Sequence, residues 1–286
     1  MSRAGMSMRR RRMARALRQY RSAAGLTGDE AARALLCGTG TISRMESGDS
    51  ADPLRVRHAL ALYGAPPETI DDIVTIAVEI RGGARGAIRR PYHDVVPKRL
   101  AEYYELEDEA DQVSKVEGEC VPGILQTPAY TRAWISAWDP HLPDEQAKRW
   151  LEIRLERQQR LTGDHPLQLR VVLGEAALLT EVGGPKVLRE QLDRLVMLAR
   201  DVPTVHIRVL PFAKGAHPAL GRNFSILRFP QEADPEVIFA EGLTHFVLED
   251  EKTEVERFRD AYNRLWDMAL DETHSARMIA QRAARC

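Results

Sequence analysis

Cysteine is scarce. Three residues (Cys37, Cys120 and Cys286) are scattered over 286, which gives neither a disulfide framework nor a metal-ligand spacing and fits a reducing cytoplasm. Long apolar runs are missing: none approaches the roughly eighteen residues a membrane helix needs. The stretch Met8-Arg9-Arg10-Arg11-Arg12-Met13 has no apolar segment behind it, so no signal peptide is expected. Catalytic signatures are missing too. No two of the eight histidines stand four residues apart. No Ser/His/Asp order, phosphate-binding Walker loop or dinucleotide glycine fingerprint occurs. The expectation is a cytoplasmic protein that is not an enzyme and needs no cofactor and no metal. Lysine is absent from the first sixty residues, where basic charge comes from arginine alone.

What is present is a split in charge. Residues 1–60 hold twelve arginines against five acids, a net of +7, while the remaining chain holds 29 basic and 37 acidic residues, a net of −8. The whole chain sums to −1 and hides the split. A basic head on an acidic body is the pattern of a head that meets a polyanion, although a solvated arginine-rich helix face gives the same count.

The head reads as five short helices. Met13, Ala16, Leu17, Tyr20 and Ala24 recur at three- and four-residue steps over 9–24, and Gly25 ends that helix. Thr27 with Glu30 three residues on makes a capping box for a second helix. After the turn Leu36-Cys37-Gly38 a third helix runs through Thr41, Ile42, Met45 and Glu46 to Gly48. Asp52-Pro53 opens a fourth, ended by Gly64, and Pro66-Pro67-Glu68 opens a fifth through Ile80. Three glycines within Arg81–Gly86 mark a linker. The division is therefore residues 1–81 as a helical DNA-binding domain, 82–97 as linker and 98–286 as a second domain.

The second domain mixes periods. Leu100, Tyr103, Tyr104, Leu106, Ala110 and Val113 predict one helix over 98–117. Thr127-Pro128 opens another, and 144–162 is helical with Arg and Glu four apart. Strands are expected at 167–173, 205–210, 224–229, 237–241 and 245–248. Helices are expected from Pro185 to Arg200, over 251–270 and over 273–284. The fold class is thus mainly α with an α+β C-terminal domain: a five-helix bundle followed by a helical, small-sheet regulatory domain.

The second and third helices are spaced as a helix-turn-helix, whose second helix enters the DNA major groove. Ala31 must be small where the two cross, and Ile42 must be buried. Thr39, Gly40, Thr41, Ser43 and Arg44 then face outward, with Thr41 and Ser43 suited to phosphates or thymine methyls and Arg44 to guanine or phosphate. An ordinary helical hairpin has the same spacing.

The strings Gly25-Leu26-Thr27, Glu30-Ala31-Ala32 and Thr41-Ile42-Ser43-Arg44-Met45-Glu46-Ser47-Gly48 resemble the Xre (Cro/cI-type) helix-turn-helix family. Other pieces resemble the domain of unknown function that follows this head in actinobacterial, WhiJ-like regulators. They are Val121-Pro122-Gly123-Ile124-Leu125-Gln126-Thr127, Arg154-x-x-Arg157-Gln158, Gly174-Glu175-Ala176-Ala177-Leu178, Val209-Leu210-Pro211 and Glu241. The resemblance implies a transcription regulator that binds double-stranded DNA, with Thr27 and the third-helix residues at the interface. It also implies a small partner protein encoded nearby, in a toxin–antitoxin-like arrangement. Gly28 stands where the family has a phosphate-contacting glutamine. Leu36 replaces the turn glycine, which predicts a looser turn. Gly38 and Gly40 remove side chains from the start of the third helix and weaken it by about 1 kcal/mol each.

Four further groups are candidates. Arg9, Arg10, Arg11 and Arg12 form either an arm along phosphate or in a minor groove, or a solvated helix start. Tyr130, Trp134 and Trp138, with Trp150, line a ligand pocket or partner groove, or are core. Glu175 and Glu241 at strand ends are an acid pair, a ligand anchor, or partners of Arg154, Arg157 or Arg170. Gly183-Gly184 before Pro185 is a helix start. The combined expectation is a homodimeric DNA-binding regulator without membrane contact, whose second domain docks a small protein. The alternatives are an antitoxin-like interaction module and a small-molecule sensor.

Overall fold

The computed structural model describes residues 6–82, 95–231, 234–242 and 245–286. The chain divides into two compact units, Met6–Arg90 and Pro91–Cys286. Of the linker expected at 82–97, residues 83–94 lie outside the described residues, as does Arg3 of the basic head.

The first unit contains α1 (Met8–Ala23), α2 (Gly28–Ala34), α3 (Thr39–Glu46), α4 (Pro53–Leu62) and α5 (Pro67–Gly82). The ends are fixed by side chains that satisfy free backbone N–H groups. Ser7 accepts from Arg10 N, and Asp52 accepts from Leu54 N with Pro53 in the first turn. Thr27 and Glu30 form the expected box: Glu30 N donates to Thr27 Oγ1 at 3.2 Å and Thr27 N to Glu30 Oε2 at 2.8 Å. Gly48 ends α3 at φ +81°, and a Cβ there would lie 2.7 Å from Met6 Sδ. Met13, Leu17, Ala31, Ile42, Met45, Val56, Leu60 and Ala77 make one core.

The turn between α2 and α3 is tight, not loose as the missing glycine predicted. Leu36 takes the left-handed conformation itself, at φ +50°. Leu36 N donates to Arg33 O and Cys37 N to Ala32 O, the bond pair of a Schellman ending. Leu36 is 94% exposed, so no burial offsets its backbone strain. Gly38 is the N-cap of α3 and precedes the helix proper, so the glycine penalty falls on Gly40 alone.

The second unit runs α6 (Lys98–Glu109), β1 (Gln112–Glu117), α7 (Pro128–Trp138), α8 (Asp144–Gln158), β2 (Gln168–Gly174), α9 (Ala176–Leu179), α10 (Pro185–Asp201), β3 (Val205–Leu210), β4 (Phe224–Arg228), β5 (Val237–Glu241), β6 (Phe246–Glu249), α11 (Lys252–Met268) and α12 (Glu272–Ala283). Among the described residues the strands form one six-stranded sheet in the order β3-β2-β1-β4-β5-β6. The pairs β1–β2 and β2–β3 are parallel, and β4, β5 and β6 continue antiparallel from β1.

The helix expected over 98–117 is therefore two elements. It stops at Glu109, and Ala110 turns to extended backbone. Asp111 N then donates to Arg228 O, and Gln168 N to Asp111 O, which feeds the chain into the ladder. β1 is central in the sheet and buried along both faces, so it lacks the apolar–polar alternation of a half-buried strand. Val113 falls on the helical period by coincidence.

The two sheet faces differ. Val116, Val172, Phe224, Ile226 and Ile238 pack with Tyr262, Leu265 and Trp266 of α11 in an apolar layer. The opposite face of β1, β4 and β5 carries Lys115, Ser225 and Phe239, which stand beside one another in register. Polar side chains at the centre of a sheet require partners.

Candidate DNA-reading surface and ligand cavity

In the first unit, Ala31 and Ile42 are 0% and 3% exposed, as the crossing of α2 and α3 requires. Thr39, Gly40, Ser43 and Arg44 are exposed and Thr41 half-buried, all on α3; Thr27 is exposed at the start of α2. Arg44 Nη2 stands 3.5 Å from Thr41 Oγ1, a long contact that leaves the guanidinium on the outer surface. α3 is held from behind: Arg21 of α1 donates from Nε and Nη2 to Glu46 at 2.6 and 2.9 Å, and from Nη1 to Leu26 O at 2.7 Å. The face of α3 that meets water is thus fixed by an apolar contact and an ion pair on the face that does not.

The arginine run does not form an arm. Ser7 starts α1 just before it, so Arg9–Arg12 are the first helical turn. Arg9 pairs with Glu79 of α5 at 3.2 Å. Arg10 Nη1 donates to Gly48 O at 2.7 Å. Arg11 is buried and donates to Met6 O at 3.0 Å, and Arg12 is half-buried.

In the second unit, the polar face of the sheet opens into a cavity of about 500 Å³. Of the expected binding residues, Trp134, Trp138 and Glu241 line it. Trp134 and Trp138 stack at 6.1 Å, and Trp150 meets Trp138 edge-on at 6.3 Å. Tyr130 does not line it; the ring is fully buried and its hydroxyl accepts from Val121 N at 3.3 Å. Glu175 does not line it either. Its carboxylate accepts from Phe212 N at 2.8 Å, and it shares with Glu241 the lining of a second cavity of about 540 Å³. Gly183 and Gly184 sit at φ +76° and +85° ahead of Pro185 and start α10 as expected.

The cavity is built on charges the sequence left unassigned. Lys115 Nζ lies 3.0 Å from Glu117 Oε1 and donates to Ser225 Oγ at 3.0 Å. Burial opposes its charge, but Glu117 prevails and raises the ammonium above its ordinary value. Arg157 of α8 donates to Glu107 of α6 from Nε and Nη2, at 2.7 and 2.9 Å, and its guanidinium stacks 4.1 Å over Tyr104. Tyr103 adds a 2.6 Å bond to the same carboxylate. Burial pulls Glu107 up, yet Arg157 and Tyr103 hold it below the usual carboxylate value. Cys120 beside Glu117 is pushed up to about 12 by burial, then by that charge, so its thiol stays protonated and is a poor nucleophile. Glu241 is exposed at the strand end; the partial enclosure of its carboxyl, offset by Lys115, raises its pKa from the ordinary value.

The wall of the cavity opposite the sheet is the segment 121–127. Gln126 Nε2 donates to Val121 O, Gln158 Nε2 to Gln126 O, and Gln191 spans Thr127 N and Leu125 O. Buried amides thus satisfy a loop that would otherwise carry unpaired backbone groups. Arg154 is 7% exposed. It stacks 4.6 Å from the Trp134 ring and donates from Nη1 to Gln126 Oε1. Its Nε has no partner. Arg154, part of the Arg154-x-x-Arg157-Gln158 string and a possible mate for Glu175 or Glu241, forms an ion pair with neither. Among the described residues, no group of three or more His, Cys, Asp or Glu could hold a metal ion, and no helix is long and apolar enough to cross a membrane.

A compact helical bundle with one short helix held outward across a tight turn is the architecture of a helix-turn-helix protein. Residues 12–73 match the family described as helix-turn-helix domain, which points to a DNA-binding regulator. Residues 100–281 match the family described as domain of unknown function DUF5753. That match spans more than half of the chain, and the chain belongs to this family. No curated protein and no solved structure matches it.

Proposed function

We propose that this protein is a sequence-specific transcription regulator that binds double-stranded DNA through α3, as a homodimer on paired half-sites, and that its second unit receives the regulatory signal. The observation that carries the DNA reading is the division of α3: Ile42 and Met45 are buried, whereas Thr39, Ser43 and Arg44 are exposed together. A helix so divided presents side chains to base edges without loosening its own packing. Arg44→Ala should weaken binding to the operator by about 1–3 kcal/mol if it reads a base, with the helical content of the variant unchanged. An anisotropy titration at fixed salt measures this, and unchanged affinity removes Arg44 from the interface.

For the second unit, the docking of a small protein encoded nearby, in an antitoxin-like manner, follows from the family resemblance. Affinity capture with the intact chain, followed by mass spectrometry, tests it. A second reading, the sensing of a small molecule, is favoured by one specific observation. The aromatic and charged side chains of this unit converge on a half-open cavity of about 500 Å³, a size typical of small-molecule sites. In either case occupancy of the second unit alters DNA binding by the first.

A further inference from the structure

We propose that the cavity of the second unit binds a small aromatic carboxylic acid, its carboxylate on the Nε–Nη2 edge of Arg154 and its ring among Trp134, Trp138 and Trp150.

Of the three cations that line the cavity, two have a carboxylate partner. Lys115 is answered by Glu117, and Arg157 by Glu107. Arg154 has no carboxylate within ion-pair distance among the described residues. Its neighbours in the field are Arg157, which repels it, and Glu241 at the open rim, which attracts it only from a distance. Burial, the largest influence, lowers the pKa of this guanidinium. A cation taken out of water without a counter-ion is costly, and the cost is removed when an anion arrives.

The geometry says which anion. Among the described residues the arginines that form paired bonds to glutamate, Arg21, Arg157 and Arg259, all use Nε with Nη2. Arg154 spends Nη1 on Gln126, and its Nε is buried beside Gly123 without a partner, so a carboxylate takes that edge once the Gly123 backbone gives way. Two parallel N–H groups on a planar fork fit the two oxygens of a carboxylate. One face of the guanidinium is already covered by Trp134, so the ligand comes in along the edge. The remaining walls (Leu100, Tyr104, Ile135, Trp138, Trp150 and Phe246) offer an apolar and aromatic lining, which suits a planar hydrocarbon body behind the acid. Gln126 is itself tied down by Thr131 and Val121, so it holds Arg154 in place and does not compete for that edge.

This inference rests on the small-molecule reading of the second unit, and the two fail separately. The full chain is titrated calorimetrically with phenylacetate, 1-naphthylacetate and benzoate, and with the matching primary amides. At least one acid is expected to bind at least tenfold more tightly than its amide. Arg154→Gln should weaken that acid at least tenfold, whereas Glu190→Gln, exposed on α10 and outside the cavity lining, should leave it unchanged. Arg154→Met should melt no lower than the parent without ligand, because it removes a buried charge that nothing balances, and should bind acid and amide alike. No binding by any of the three acids, acids no better than amides, or an undiminished Arg154→Gln variant each overturns the site. Because the acid–amide comparison is made on the unmutated chain, a variant that fails to fold does not blunt it. If the acid binds but leaves the affinity for DNA unchanged, the site stands and the sensing reading falls.

Discussion

Each unit holds an arginine–glutamate pair in which Nε and Nη2 meet the two carboxylate oxygens, in two different settings. In the first unit Arg21 grips Glu46 at 2.6 and 2.9 Å, with 19% and 12% of the two side chains exposed. In the second, Arg157 grips Glu107 at 2.7 and 2.9 Å, with 10% and 4% exposed. The first pair sits at the edge of an apolar core, ties α1 to α3, and uses a third donor to hold Leu26 O. The second is enclosed, with Tyr104 under the guanidinium and Tyr103 on the carboxylate. The forks are alike; the access of water is not. In the first unit charge orients a surface helix from behind. In the second it has been drawn inward: Lys115 and Glu117 sit on the sheet, Arg154 and Arg157 on α8, and Arg154 lacks a carboxylate partner among the described residues. The net charges of +7 and −8 describe surfaces and conceal this difference.

Breaking the enclosed pair should have the largest effect. Glu107→Gln leaves a buried guanidinium without its counter-ion and should cost about 3–5 kcal/mol of stability. All four tryptophans lie beyond residue 130, so urea unfolding followed by tryptophan fluorescence reports on the second unit. The loss should depend on pH in a defined direction. The folded carboxyl of Glu107 titrates below its ordinary value of 4.5. Its contribution is therefore complete above 4.5 and is lost as the pH falls through the lower, folded value. Glutamine does not titrate, so the gap between the parent and Glu107→Gln should close in acid. A gap that stays constant from neutral pH into acid means that Glu107 is not ionised in the fold.

The first-unit pair should matter less to stability and more to function. Glu46→Gln should cost about 1.5–3 kcal/mol, the range for hydrogen bonds to a charged group, because water can still reach Arg21. What it loosens is the position of α3. Amide exchange should speed up in Thr39–Glu46 more than in α5, and DNA affinity should fall although Glu46 faces away from the reading surface. Equal acceleration throughout the unit would show that the pair stabilises the bundle generally and does not position the helix.

Much of the first unit was legible in the sequence because its signals are local. Thr27 with Glu30, and Asp52 before Pro53, name their helix starts, and Ala31 and Ile42 follow from the spacing of two helices. The arginine run stayed open between an arm and a helix start because Ser7, which starts the helix ahead of it, is a weak cap in a stretch dominated by charge. In the second unit the signals are long-range. β1 was hidden because a strand buried on both faces, with Lys115 and Glu117 inward, looks neither alternating nor apolar. Trp134, Trp138 and Glu241 were picked out by residue type, and so was Tyr130, which proved to be core. Arg154 could not be singled out, because its defining property is the absence of a partner, and an absence becomes visible only when every neighbour is in place.

The smallest effect tests the turn on which the reading surface depends. Leu36 adopts φ +50°, a conformation that costs a residue with a Cβ about 1–2 kcal/mol. Its side chain is 94% exposed and recovers nothing by packing. Leu36→Gly removes the strain but adds about 0.4–1 kcal/mol of backbone freedom to the unfolded chain. The two terms nearly balance, and the remainder favours glycine by about 0.5–1 kcal/mol. The first unit of the variant should therefore be slightly more stable, with α3 in the same place, since both bonds of the Schellman ending are donated by backbone N–H groups that glycine retains. Chemical denaturation followed by far-ultraviolet circular dichroism measures the stability, and anisotropy the DNA affinity. A variant that is less stable than the parent would mean that the exposed leucine is covered in solution, by a second copy or another partner, and that contact would then account for a leucine at a position that backbone geometry reserves for glycine.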